Sequence, residues 1–182
     1  MGKSLSLILG GRRAGKSTYA QRLAQNRGRD GRVLFVATAE AGDGDMAARI
    51  RRHQADRPAE WDTLEEPLDL VGALRPVVSE YDIVLLDCLT LWVSNMMHAE
   101  DARDVLPEVS WLLDLFGEQE ASWIVVSNEV GLGIVPMTQL GRDYADLLGR
   151  ANQLLASAAD EVWFVAAGLP LNLKALSRDS GA

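Results

Sequence analysis

The stretch Gly10-Gly11-Arg12-Arg13-Ala14-Gly15-Lys16-Ser17 leaves little freedom in what this chain can fold into. It fits G-x-x-x-x-G-K-[ST], follows the apolar run Ser4 to Leu9, and opens a segment with helical spacing from Lys16 to Asn26. Each part has a physical task. Glycines let the backbone curl so that successive N–H groups face one anion-sized nest. A helix starting near Lys16 adds the positive end of its dipole and its unpaired amide donors. Lys16 supplies a point charge for the outer phosphates of a nucleotide, and the Ser17 hydroxyl can join a magnesium shell. A chance glycine-rich turn would not need an apolar strand before it and an amphipathic helix after it.

A strand–loop–helix start of this kind calls for a parallel sheet, and the remaining pattern supplies one. Short apolar runs recur at Arg32 to Thr38, Asp82 to Asp87, Ser122 to Ser127 and Asp160 to Ala167. Their hydrophobicity is continuous rather than alternating, as strands covered on both faces require. Between them, Pro67 to Val78, Val105 to Glu118 and Met137 to Ala158 carry helical spacing. The expected fold is α/β: a P-loop NTPase of the RecA-like kind, with a mostly parallel central sheet flanked by helices. The 182 residues suit one domain, expected over residues 1–176, with a frayed, disordered tail at 177–182.

Charge and composition narrow the partners. A formal net charge of -8 argues against a general nucleic-acid binder but not against one nucleotide held by a few local donors. The single cysteine, Cys88, excludes an internal disulfide and fits a reducing compartment. The start of the chain carries no signal-peptide pattern, and no apolar stretch approaches the ~20 residues that span a bilayer, so a cytoplasmic protein is expected.

A second carboxylate site is expected at Ile83-Val84-Leu85-Leu86-Asp87, where four apolar residues end in an acid. Ligands of α/β sheets gather at the carboxyl ends of strands. Asp87 there can hold magnesium directly or through water, or it can simply cap the next helix. Beside the P-loop, the metal role is favoured.

Beyond these motifs the chain resembles the bifunctional adenosylcobinamide kinase / adenosylcobinamide-phosphate guanylyltransferases of cobalamin synthesis. Four stretches between about Leu7 and Lys174 carry the resemblance. They are the P-loop, with arginine at Arg13; Asp45 to His53 followed by Arg57-Pro58, Trp61 and Thr63-Leu64-Glu65; Asp87-Cys88-Leu89-Thr90; and Asn128 to Pro136 with Gly149-Arg150-Ala151-Asn152-Gln153 and Ala159 to Val162 downstream.

The resemblance implies two reactions. A nucleoside triphosphate, ATP or GTP, phosphorylates the aminopropanol hydroxyl of adenosylcobinamide. GMP then passes from GTP to that phosphate through a covalent guanylyl-histidine. Of the two histidines, His53 holds the family's position, while His98 is expected to be structural. A neutral imidazole can attack phosphorus without a separate base. Spacing alone puts Met46, Ile50 and His53 on one helical face, which by itself would suggest a packed or solvated residue. Arginines 49, 51, 52 and 57 would ordinarily form a solvated basic face; a triphosphate gives one or two of them another use, and position favours Arg57. The resemblance also places Gln54, Ala55 and Asp56 in the nucleotide site, together with Ala37, Thr38 and Ala39 at the end of the second strand. Glu65 either accepts from guanine or is a surface acid. The segment Asn128 to Pro136 is expected to be a shaped loop over the sheet edge, part of the corrinoid or nucleotide site, against a plain strand-to-helix turn. The family resemblance further implies a homo-oligomer, a trimer. Ala14 departs from the usual serine, and Asp87 stands where some relatives have glutamate. The five tryptophans fit strand and helix patterns and are expected in the core rather than as a corrinoid platform.

Other readings of a P-loop chain of this size are a small-molecule kinase without guanylyltransferase activity, a GTP-dependent switch and a RecA-like ATPase. The sequence has no N-K-x-D guanine-reading tetrapeptide, and its acidic balance leaves no DNA-binding surface.

Overall fold

The computed structural model describes residues 2–28, 31–40, 57–100 and 103–179. In chain order the elements are β1 (Leu5–Gly10), α1 (Lys16–Arg27), β2 (Val33–Ala37), β3 (Asp62–Glu65), α2 (Leu70–Leu74), a 3-10 turn (Val78–Glu80), β4 (Ile83–Asp87), α3 (Leu89–His98), α4 (Val105–Glu118), β5 (Ser122–Val126), α5 (Gln139–Ala158), β6 (Glu161–Ala166), β7 (Leu169–Asn172) and α6 (Leu173–Asp179).

All five apolar runs are strands of one seven-stranded sheet with the order β3-β2-β4-β5-β1-β6-β7. Every neighbouring pair is parallel except β6 and β7, which form an antiparallel hairpin. Strands β1 and β2 are buried along their whole length, because successive side chains enter two different cores. Leu5, Leu7 and Leu9 join Leu34, Val36, Val84, Leu86, Trp123 and Val125 on the side covered by α2 to α5. Ile8, Phe35, Ile83, Leu85, Ile124 and Val126 face α1, whose Ala20 and Ala24 let the helix lie close to the sheet. Burial of these branched side chains, about 1.5–3 kcal/mol each, is what holds three layers together.

Ser6 is the polar exception on the α1 side of β1. It is fully buried and donates to Glu161 Oε2 at 2.9 Å. The same oxygen accepts from Arg27 Nη2 at 2.6 Å and from the Trp163 indole at 3.1 Å. Burial works to raise the Glu161 carboxyl, but the bonds from Trp163, Arg27 and Ser6 outweigh it and hold it below the ordinary carboxylate range. This network staples the end of α1 to β1 and β6.

The sheet has two strands that apolar runs do not reveal. Asp62–Glu65 and Leu169–Asn172 are the edges, half-exposed, polar or interrupted by Pro170. Charged residues and proline are what edges use to discourage further pairing. The helix expected from Pro67 to Val78 is shorter. Asp69 caps it by accepting from Gly72 N at 3.2 Å, and Pro76 has no N–H to continue it beyond Leu74. Helix α4 spans Val105 to Glu118 as its spacing predicts; Pro107 lies in its first turn, where no intrahelical donor is lost. Towards the end of the described residues, α6 runs from Leu173 through Asp179.

Candidate active site

The carboxyl edge of the sheet gathers the P-loop, Asp87 and Glu65 on the face that carries α1. Strand β1 stops at Gly10 in a left-handed conformation (φ 150°), where an added Cβ would lie 2.3 Å from the Val165 carbonyl oxygen of β6. The loop then turns through Arg13 (φ 60°) and closes at Gly15 (φ 99°), whose absent Cβ leaves room for Gly168 Cα 3.3 Å away. The turn between β6 and β7 braces this loop: Gly168 N donates to Ala14 O at 2.8 Å. Gly15 offers no side-chain cap, and the first helical bond of α1 is Tyr19 N to Gly15 O at 3.0 Å. The amides of Lys16, Ser17 and Thr18 therefore precede the intrahelical ladder and suit an anion. Lys16 is buried, with its Nζ donating to Gly11 O at 2.8 Å across the loop, while Arg12 and Arg13 are exposed and Ser17 is half-buried.

Parallel register sets the next group. Glu65 of β3, Ala37 of β2 and Asp87 of β4 are direct partners across three strands, and Asp87 in turn pairs with Val126 of β5. They share the parity of Phe35 and Leu85, so both carboxylates project on the α1 side, with the P-loop. Arg57 joins them: its guanidinium stacks 3.7 Å from the Phe35 ring centroid and donates to Thr63 Oγ1 at 3.3 Å. Burial lowers its pKa, opposed by the negative charges of Asp87 and Glu65, and it remains a cation. Ala39 is half-buried at the same edge.

Thr38 is fully buried and engaged in a different way. Its hydroxyl donates to Cys88 O at 2.7 Å and accepts from Cys88 N at 2.9 Å, while its carbonyl accepts from Asn95 Nδ2 at 2.8 Å. One side chain thus fixes the residue that follows Asp87. The Cys88 thiol is pushed up to about 12 by burial and by the Asp87 charge, so it stays protonated.

Residues 53–56 (His53, Gln54, Ala55 and Asp56) lie outside the described residues. The other histidine, His98, ends α3 on the opposite face of the sheet and donates from Nδ1 to Ser94 O at 2.7 Å.

A family model described as cobinamide kinase / cobinamide phosphate guanyltransferase matches residues 6–173, nearly the whole of the chain. The chain belongs to this family. Over 168 residues it is 47% identical to the bifunctional adenosylcobalamin biosynthesis protein CobP of Pseudomonas aeruginosa, covering 92% of this chain and 96% of that one. It is 37% identical over 181 residues to the bifunctional adenosylcobalamin biosynthesis protein CobU of Salmonella typhimurium, covering 92% and 98%. Among solved structures, a KaiC-like protein from Pyrococcus horikoshii OT3 superposes with a TM-score of 0.57 at 13% identity, over 90% of this chain and 71% of that one. That likeness concerns the fold alone, a RecA-like P-loop NTPase. As a cobinamide kinase / guanyltransferase, the chain is a bifunctional transferase.

In this cobinamide kinase / guanyltransferase, three motif stretches far apart in sequence form one hydrogen-bonded cluster. Asn128 N donates to Thr90 Oγ1 at 2.7 Å, and Asn152 Nδ2 donates to Asn128 O at 3.1 Å. Tyr144 adds a bond to Thr90 O at 3.1 Å, and Glu129 N reaches Gly10 O at 3.1 Å. The loop after β5 is therefore seated on the P-loop strand, which a plain turn would not require. Sequence reasoning missed the clamp by Thr38 and the brace by Gly168. The only sequence signal for the brace was a glycine directly after an apolar run. Trp92 and Trp123 are core residues as expected, whereas Trp111 is exposed on α4.

Proposed function

We propose that this chain phosphorylates adenosylcobinamide with a nucleoside triphosphate, ATP or GTP, and then transfers GMP from GTP to the new phosphate through His53. The observation that supports this best is the convergence of the P-loop, Asp87, Arg57 and Glu65 on one face of one sheet edge. In the first transfer the aminopropanol oxygen attacks the γ-phosphorus and gives up its proton to solvent, the bond to the β-phosphate oxygen breaks, and the nucleoside diphosphate leaves. Lys16 and the first amides of α1 neutralise the phosphate oxygens as charge moves onto the leaving group. In the second, a His53 nitrogen attacks the α-phosphorus of GTP and pyrophosphate departs. The adenosylcobinamide phosphate oxygen then displaces His53, giving adenosylcobinamide-GDP. Arg57 holds the triphosphate, and Glu65 accepts from the guanine edge. Gly10 to Ser17, Ala37 to Ala39 and residues 54–56 complete the nucleotide pocket.

The donor set fits magnesium. The Ser17 hydroxyl and the Asp87 carboxylate are hard oxygen ligands, and Mg²⁺ is ordinarily held by one or two protein oxygens together with substrate phosphates and water. Bound there, it would shield charge on the phosphates. Among the described residues no cluster of three or more His, Cys, Asp or Glu side chains could hold a metal, and none is needed for a site of this kind.

The proposal extends to a single domain over residues 1–176, a cytoplasmic location, no nucleic-acid partner and a homo-oligomer, which the family resemblance makes a trimer. Among the described residues no helix is long and apolar enough to cross a membrane. The exposed leucines 169, 171, 173 and 176 on β7 and α6 give a second copy an apolar edge to cover.

Incubation with magnesium and GTP labelled at the α-phosphate tests the second transfer. Acid-labile, alkali-stable protein label is expected, lost in His53→Asn and kept in His98→Asn. A folded, GTP-binding protein that takes up no label would leave a P-loop kinase alone.

A further inference from the structure

The loop joining β5 to α5 presents an unusual surface. Leu132, Ile134, Val135 and Met137 are 77, 97, 72 and 95% exposed, flanked by Val130 and Leu140. Contiguous apolar side chains left in water on a folded chain mark a surface that something covers. Their backbone is held in shape. Gly131 N donates to Glu129 Oε1 at 2.8 Å, and Arg142 Nη1 donates to Pro136 O and Met137 O, each at 2.9 Å. Thr138 caps α5 by accepting from Gly141 N at 3.1 Å.

Position decides what covers it. The root of the loop is bonded to the phosphate cradle, Glu129 N to Gly10 O, and to the residue group after Asp87, Asn128 N to Thr90 Oγ1. Strand β5 lies between β1, which carries the P-loop, and β4, which carries Asp87. A surface rooted there borders the place where a γ-phosphate meets its acceptor. The other exposed apolar group, on β7 and α6, lies outside β6 at the far edge of the sheet.

We propose that the apolar strip Leu132-Ile134-Val135-Met137 is the docking surface for the corrin ring of the acceptor, placing its aminopropanol hydroxyl over the cradle. This rests on the kinase reading above. A kinase acceptor the size of a corrinoid cannot enter a nucleotide pocket. It needs an open apolar surface beside the cradle, with only its hydroxyl-bearing arm reaching in. Four side chains on a rooted loop provide such a surface, and binding buries them without disturbing the core.

The test is the double variant Ile134→Ser with Met137→Ser in the full chain. Both side chains are almost wholly exposed, so folding and thermal midpoint should match the parent. Steady-state phosphorylation of adenosylcobinamide should show its KM raised at least about tenfold, since each large apolar side chain fully buried by the ligand is worth about that factor or more. The Kd for magnesium–nucleotide and the yield of covalent GMP label should stay within about twofold of the parent. A corrinoid KM within about twofold of the parent overturns the proposal. A lowered sedimentation coefficient also overturns it, because the strip would then belong to a second copy. Failure of the kinase reading looks different: the unaltered chain would not phosphorylate adenosylcobinamide at all.

Discussion

Replacing Thr38 by valine isolates one hydroxyl whose work can be estimated beforehand. Valine has nearly the same volume, so the fully buried site gains no cavity. What goes is a donor to Cys88 O (2.7 Å) and an acceptor for Cys88 N (2.9 Å). Cys88 O keeps the bond from Trp92 N at 3.2 Å; Cys88 N is left without a partner, and a buried backbone group in that state costs about 1–3 kcal/mol. Valine recovers part of this because no hydroxyl has to be desolvated, and a net loss of about 1–2 kcal/mol is expected. For a domain of this size that lowers Tm by about 2–8 °C. The functional effect should exceed that of a comparable lesion elsewhere, because Cys88 follows Asp87 and the carboxylate loses its fixed position. Urea unfolding and magnesium-dependent nucleotide binding should be measured side by side, with Thr38→Ser as the control. Serine keeps both hydrogen bonds, loses about one methyl group of burial, and should retain nucleotide affinity. The reasoning is refuted if valine costs under about 0.5 kcal/mol, or if serine weakens magnesium–nucleotide binding as much as valine does.

Gly10→Ala should cost about 2–4 kcal/mol in urea unfolding, because a Cβ would meet a β6 carbonyl oxygen at 2.3 Å and backbone cannot step aside. Arg57→Lys keeps the charge but not the planar stack on Phe35, 3.7 Å from the ring centroid; steady-state kinetics of GMP transfer should show a KM for GTP raised about fivefold. Glu161 has a folded pKa held below its ordinary value, so its stabilising contribution is full above the unfolded pKa and is lost as pH falls through the folded one. The stability gap between parent and Glu161→Gln, followed by denaturant melts, should therefore be largest near neutrality and shrink as pH drops below about 4.5. With its thiol at about 12, Cys88 should resist an aromatic disulfide reagent at pH 8 in the native protein and react at once in denaturant.

How much of this was legible beforehand depended on what each residue answers to. The P-loop and five strands could be read because burial on both faces forces continuous apolar runs, and because a phosphate nest needs glycine at set places. Asp87 could be placed because a strand has one carboxyl end. The edge strands could not: Asp62–Glu65 is a strand only because β2 offers it partners, and nothing in Asp-Thr-Leu-Glu alone says so. The same holds for the hydroxyl of Thr38. Its position near the nucleotide site was readable, but its engagement with Cys88 depends on the pairing of β2 with β4, from residues some fifty positions apart. The cluster of Thr90, Asn128 and Asn152 was visible as three separate stretches and became one object only when the chain closed around β5.

The placement of β1 has a consequence for how this protein is made. The phosphate loop leaves the ribosome long before its neighbours, because both strands that flank β1, β5 and β6, begin at Ser122 or later. The turn that braces Ala14 is contributed by Gly168, 154 residues later. During synthesis at about 5–20 residues per second the loop must wait about 8–30 seconds for that brace. A nascent chain stalled before β6 should therefore carry the full nucleotide motif and hold no nucleotide, and capacity to bind should arise late and abruptly as the hairpin emerges.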